Sequence, residues 1–218
     1  MKRVLLIVIA VLMTISCTKI AKEEKVIQHI SKHNITIEIT PEKNFIKGTD
    51  NISFNVPLTE PITLYLIKDL KVVSVGSDHA IEDDNLYHSI KILPGENVTR
   101  VTIAYEGTLN YSPNERALNE THSNSLGIIS DKEGEGIYLP AGSFYPYGED
   151  DMADFKVDIT FPDHLEMITS GRLEKIEAPE GQKEYLFRTE LTVDNITLIG
   201  GRYTVTDSLY NGVNFSVL

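Results

Sequence analysis

Cysteine occurs once, as Cys17, so no disulfide can form within the chain. Positive charge is also scarce: 20 Lys and Arg stand against 32 Asp and Glu, a formal net charge of −12. No basic stripe interrupts this acidity, which repels phosphate backbones and excludes nucleic acid as a partner. Long apolar runs are missing too. The longest uncharged one, from Val4 to Met13, falls short of the roughly 20 residues that a membrane-spanning helix needs. Past residue 33 no segment sustains a 3.6-residue apolar stripe, which removes helical bundles from consideration.

What is present begins with "MKRVLLIVIAVLMTISC". Lys2 and Arg3 give a basic start, the apolar run follows, and small residues lead to the lone cysteine, the layout of a bacterial export signal. Cys17 after a small residue resembles the lipobox of bacterial lipoproteins, although Thr14 stands where that pattern prefers Leu. The resemblance implies residues 1–16 as a signal peptide, 17–32 as a lipidated tether, and membrane attachment at the cell envelope through Cys17. Thr18 and Lys19 are not an aspartate-type inner-membrane retention signal, which favours the outer membrane. The polar stretch "TKIAKEEKVIQHISKH" (18–33) reads as a tether or a short helix.

From residue 33 a period of two takes over. "ITIEI" (35–39), "NISFNV" (51–56), "ITLYLI" (62–67), "LKVVSV" (70–75), "VTRVTIAYEG" (98–107), "FKVDITF" (155–161), "EYLFRTEL" (184–191) and "GGRYTVTD" (200–207) alternate apolar and polar residues. Such alternation marks strands with one buried face. The separators "PEKN", "KGTDN", "LPGEN", "APEGQ" and "NG" read as turns. The expectation is an all-β domain over 33–218, an antiparallel β-sandwich or saddle-shaped sheet. Residues 108–142 form a polar excursion of the length that is usually functional or flexible.

Signatures of catalysis are few. "HISKH" places His29 and His33 four apart, as a zinc-peptidase helix would, but Ile30 stands where the general-base glutamate belongs. Two surface histidines at chance spacing is the better reading. His79, His88, His122 and His164 stand alone, there is no GxSxG, and "EGEG" (133–136) is too acidic to cradle a phosphate. Glu149, Asp150, Asp151 and Asp154 crowd "GEDDMAD" without the alternation of a calcium loop, so a solvated acidic turn is expected, with weak calcium binding a minor alternative.

Taken in order, "HNITIEITPEKNFIKGTDNISFNV", "PITLYLIKDLKVVSV", "TRVTIAYEGTLN", "FYPYGEDDMADFKVDITFPDHLEMITSGRL" and "TVDNITLIGGRYTV" resemble the N-terminal saddle-shaped β-domain of the aminopeptidase N family of zinc metallopeptidases. The resemblance implies a non-catalytic domain that scaffolds a catalytic domain in cis and walls its peptide cleft. Tyr145, Glu149 and Asp150 are the implied cleft or interdomain contacts. Two positions depart from the family pattern: no proline follows the acidic pair, and "IYLPAG" stands where the family has Thr-Gln. HExxH and GAMEN-type motifs do not occur, so the implied zinc would belong to a catalytic domain outside residues 1–218, and this chain alone is expected to be inactive. The competing expectation is a self-sufficient, lipid-anchored β-sandwich that binds a peptide, glycan or partner protein at an open sheet edge. A domain cut from a larger enzyme should leave an apolar face open around Leu198, Ile199, Tyr203 and Val213.

Lipidation is tested by expressing the chain with Cys17→Ala in a bacterial host. Loss of labelled fatty acid and release from the membrane fraction are expected; unchanged partitioning would remove the anchor.

Overall fold

The computed structural model describes residues 27–109, 127, 129–130, 136–148, 152–203, 206–210 and 213–217, the last two segments through their backbone. The strands are β1 (Ile30–Thr40), β2 (Phe45–Phe54), β3 (Ile62–Ile67), β4 (Leu70–Val75), β5 (His79–Asp83), β6 (Tyr87–Ile92) and β7 (Arg100–Thr108). After the excursion come β8 (Ile137–Leu139), β9 (Asp154–Pro162), β10 (Glu166–Ile168), β11 (Arg172–Glu177), β12 (Gln182–Arg188), β13 (Leu198–Gly201), β14 (Thr206–Tyr210) and β15 (Val213–Val217). A seven-stranded sheet runs in the order β11-β12-β9-β1-β2-β7-β4. Two three-stranded sheets, β3-β6-β5 and β10-β13-β8, and the β14–β15 hairpin complete the all-β fold.

The alternation read from the sequence is what buries one face of the large sheet. Ile35, Ile37 and Ile39 on β1 share that face with Ile46, Ile52 and Phe54 on β2 and with Val101, Ile103 and Tyr105 on β7. Phe155, Val157, Ile159 and Phe161 of β9 and Tyr185 and Phe187 of β12 extend it. The small sheets supply the opposing layer: Leu64, Leu66, Ile90 and Ile92 from one, Ile137, Leu139, Met167 and Leu198 from the other, all in one core. Each such side chain contributes about 1.5–3 kcal/mol by leaving water.

Three features depart from the sequence reading. The large sheet is mixed, because β9 returns from the excursion and lies parallel to β1 in register from Lys32↔Asp154 to Glu38↔Thr160. A parallel neighbour cannot follow through a hairpin, and residues 41–153 separate the two strands in sequence. Second, β1 begins at Ile30, so the last residues of the expected tether are already strand.

Third, "KGTDN" is no turn but the middle of β2. Gly48 lies between Ile37 and Tyr105 in a cross-sheet row that continues through Ile159 and Tyr185 on one side and Val72 on the other. The Tyr105 ring fills the space where a Gly48 side chain would stand. The expected turn at "PEKN" is real: Pro41–Lys43 form a 3-10 turn and Asn44 takes the left-handed conformation, φ 51°.

Both margins of the seven-stranded sheet are irregular. On β4 the register slips between Val72 and Ser74, and on β11 between Leu173 and Lys175. Every residue of β11 is exposed, and the ion pairs Arg188–Glu174 (2.9 Å) and Lys175–Glu177 (2.8 Å) decorate that margin. Bulges and charge on an edge discourage pairing with another chain.

Gly48→Ala places a methyl group inside the Tyr105 ring, which cannot swing away because its hydroxyl is bonded in the core. A loss of about 1–3 kcal/mol is expected from such overpacking. Urea unfolding of the variant reads it directly, and an unchanged midpoint would contradict this packing.

Candidate functional site

The aromatic–proline corner ahead of β9 is assembled by local turn chemistry. Gly142 adopts φ 78°, a conformation that favours glycine. The Ser143 hydroxyl and amide both donate to the Pro140 carbonyl, at 2.6 and 3.1 Å. The corner is then sewn to the free edge of β3. The Ile67 amide donates to Gly142 O (2.8 Å), while Tyr65 and Tyr147 exchange backbone bonds of 2.8 and 3.1 Å. Tyr147 turns outward against Tyr65 and Tyr87, forming a half-buried aromatic trio.

Phe144 and Tyr145 point the other way, into the core. The Tyr105 hydroxyl donates to Phe144 O, and the Tyr145 hydroxyl accepts from the Ile196 amide at 3.2 Å. Tyr145 is 1% exposed, enclosed by residues of this chain. Burial pushes the phenols of both Tyr105 and Tyr145 above the ordinary range, and the Asp50 carboxylate adds to the rise. At Tyr145 the bond from Ile196 offsets part of it. Both phenols therefore stay neutral near neutral pH and serve as hydrogen-bonding groups rather than acids.

Beneath Tyr145 lies the one histidine–carboxylate pair that the described residues bury completely. His33 on β1 and Asp50 on β2 are 2% and 0% exposed, and the His33 Nδ1–H donates to Asp50 Oδ2 at 2.6 Å. The imidazole stacks on Phe155 of β9 (4.8 Å, 6° between planes) and meets the Tyr145 ring edge-on (5.3 Å, 72°). Asp50 Oδ1 has no hydrogen-bond partner among the described residues.

This corrects the expectation of two surface histidines. His33 is a core residue, while His29 is exposed and bonds locally to Ile27 O. They stand on an extended, bulged segment, so their spacing does not bring them onto one helical face. The alternation itself carried the signal that was missed. His33 has the parity of Ile35, Ile37 and Ile39, and Asp50 that of Ile52 and Phe54.

Other expected site residues are placed unevenly. Cys17, Glu149 and Asp150 lie outside the described residues. His88 bonds Asp83 (2.6 Å) and His79 bonds Ser77 O (2.8 Å), each without further ligating groups. Among the described residues no three His, Cys, Asp or Glu side chains converge as a metal site. Of the apolar face expected near the end, Ile199 and Tyr203 are exposed but Leu198 is fully buried. The Val213 side chain lies outside the description.

No family model matches the sequence, and no curated protein matches it either. Solved structures do. The M1 zinc metallopeptidase from Deinococcus radiodurans superposes with a TM-score of 0.59 at 19% identity, over 84% of this chain and 44% of that one. A point variant of the enzyme from that organism, bound to a Tyr-Ser-Ala substrate, gives 0.56 at 19% identity over 87% and 46%. A two-domain M1 zinc metallopeptidase variant bound to L-arginine gives 0.58 at 17% identity over 87% and 46%. The chain thus has the fold found in part of M1 zinc metallopeptidases. It spans less than half the length of each of these structures.

Removing one member of the buried pair is costly because it strands the other. His33→Leu is expected to destabilise the domain by about 3–5 kcal/mol. The double change His33→Leu with Asp50→Val should recover most of that, since two apolar groups need no partner. Urea unfolding of both single variants and the double variant gives the coupling energy. Additive losses would show that the pair does not interact.

Proposed function

We propose that the chain is the non-catalytic N-terminal β-domain of an M1-like zinc metallopeptidase, anchored to the bacterial cell envelope through lipidated Cys17. It scaffolds a zinc-bearing catalytic domain in cis and walls one side of the peptide cleft. The observation that carries this reading is the asymmetric coverage: the neighbours match over 84–87% of this chain but only 44–46% of their own length. One neighbour is itself a two-domain enzyme.

The geometry of the corner supports the same reading. A wall needs a rigid base, and the segment from Pro140 to Tyr147 is bonded to β3 on one side and plugged into the core on the other. Glu149 and Asp150 follow after Gly148 in sequence and are the residues proposed to face the cleft. Tyr145 acts by holding that base in place. The rival reading, a free-standing binder that captures a strand at its edge, receives less support, because both margins of the large sheet are bulged and β11 is charged.

The purified chain should neither hydrolyse aminoacyl arylamides nor retain zinc at one equivalent after dialysis. The coding frame beyond Leu218 should continue into an HExxH helix with a downstream glutamate. Chelator-sensitive hydrolysis by residues 18–218 alone would overturn the proposal, as would a stop codon after Leu218 in an intact gene.

A further inference from the structure

The β3-β6-β5 sheet has one margin covered and one open. Leu93 N–H donates to Asp78 O at 2.9 Å and Asp84 N–H to Tyr87 O at 3.0 Å, at the two ends of the β5–β6 register. Successive residues of an antiparallel strand turn their N–H and C=O to opposite sides. Ala80 and Glu82 therefore face β6 as well, while His79, Ile81 and Asp83 present theirs outward. On β3 the outward set includes Tyr65 and Ile67, and the corner from Pro140 to Tyr147 takes it up. On β5 the outward N–H and C=O groups meet no partner among the described residues, and every residue of the strand is exposed.

This margin lacks the devices that protect the large sheet. β5 runs from His79↔Ile92 to Asp83↔His88 without a slip, whereas β4 and β11 are both bulged. The charge along β11 is of both signs and already paired. Around β5 it is acidic: Asp78, Glu82, Asp83 and Asp84 crowd one short run, with Lys68 and Lys91 beside it. Asp84 accepts the Tyr87 and Leu86 amides, both at 2.7 Å, which hold its carboxyl below the ordinary range. Asp83 bonds His88, and Glu82 has no ion pair among the described residues.

We infer that β5 is a docking edge for an extended, lysine- or arginine-bearing segment of another protein, which adds to the sheet as an antiparallel strand. Backbone pairing to His79, Ile81 and Asp83 supplies affinity, and the side chains opposite set the preference. The partner residue opposite Ile81 is apolar. The one before it is cationic and meets Glu82, and the one before that is cationic and meets Asp83. A second copy of this chain fits poorly, because it would set two such acidic runs side by side on chains that each carry −12. The inference is independent of any zinc-bearing domain.

The probe is the acetylated, amidated heptapeptide Thr-Lys-Lys-Val-Thr-Val-Thr, added to the purified chain and followed by amide hydrogen exchange with NMR detection. Exchange at His79, Ile81 and Asp83 should slow several-fold, while Ala80 and Glu82, already paired with β6, should not change. Methylating the peptide amides that face β5, those of the first lysine and the first valine, should weaken binding about tenfold. Methylating those of the second lysine and the next threonine, which face away, should leave it intact. Equal loss in the two isomers, exchange slowed evenly along the strand, or no saturable binding would each overturn the inference. Glu82→Lys should weaken the peptide about threefold without moving the urea midpoint. Ile81→Pro should abolish binding, because the Ile81 amide makes no bond within the sheet. An Ile81→Pro chain that melts like its parent and still binds would refute the edge; should that variant not fold, a Glu82→Lys chain that binds as tightly as its parent would do so. Slowing of the same three amides with chain concentration alone would overturn the inference in favour of a second copy.

Discussion

The arrangement of this domain turns on β1, the strand at the centre of the seven-stranded sheet. It pairs antiparallel with β2 and parallel with β9, and so joins a local hairpin to a strand more than a hundred residues later. The hydrogen bond from His33 to Asp50 links two of these strands inside an apolar face, and the stack of His33 on Phe155 links the third. A slip of one residue would turn every buried isoleucine of β1 to solvent. It would also separate a histidine and a carboxylate that have few other partners. An apolar pair would pack there as well, but it would not punish the wrong register so severely.

The corner from Pro140 to Tyr147 depends on that centre. Tyr145 leans edge-on against both His33 and Phe155, and its hydroxyl reaches across to Ile196. Phe144 is tied to Tyr105, whose ring in turn lies over Gly48. The four aromatic rings thus connect the middle of the large sheet to the edge of β3, and strands distant in sequence act as one body. The Tyr105 and Tyr145 hydroxyls remain protonated because burial disfavours the phenolate, so the connection is made by neutral hydrogen bonds.

Much of this was legible in the sequence where local pattern decides structure. The strands β1, β2, β7 and β9 are long and alternate cleanly, so their existence and their buried faces followed from parity. The short strands β8 and β10 carry only three residues each, too few for a period to register. β11 has no buried residue and hence no pattern. "KGTDN" looked like a turn because the residue that excuses its glycine, Tyr105, is far away in sequence. The direction of β9 beside β1 is likewise a non-local fact. His33 and Asp50 were readable by parity but were overruled by the habit of placing charged and polar residues outside. The enclosure of Tyr145 is also non-local, because its ring packs against His33 on β1 and Phe155 on β9.

The central position of β1 also has a mechanical side. The strand is held along its length by register pairs running from Ile30 to Thr40 on one flank and from Lys32 to Glu38 on the other. A pull on the amino end of the chain, directed along this strand, would load both ladders in shear. Their bonds would share the force together instead of opening one at a time like a zipper. A strand at the margin of the sheet, held on one flank only, would have half as many bonds to resist. The fold thus places a strand held on both flanks at the start of its ordered pairing, where a pull on the amino end would first be felt.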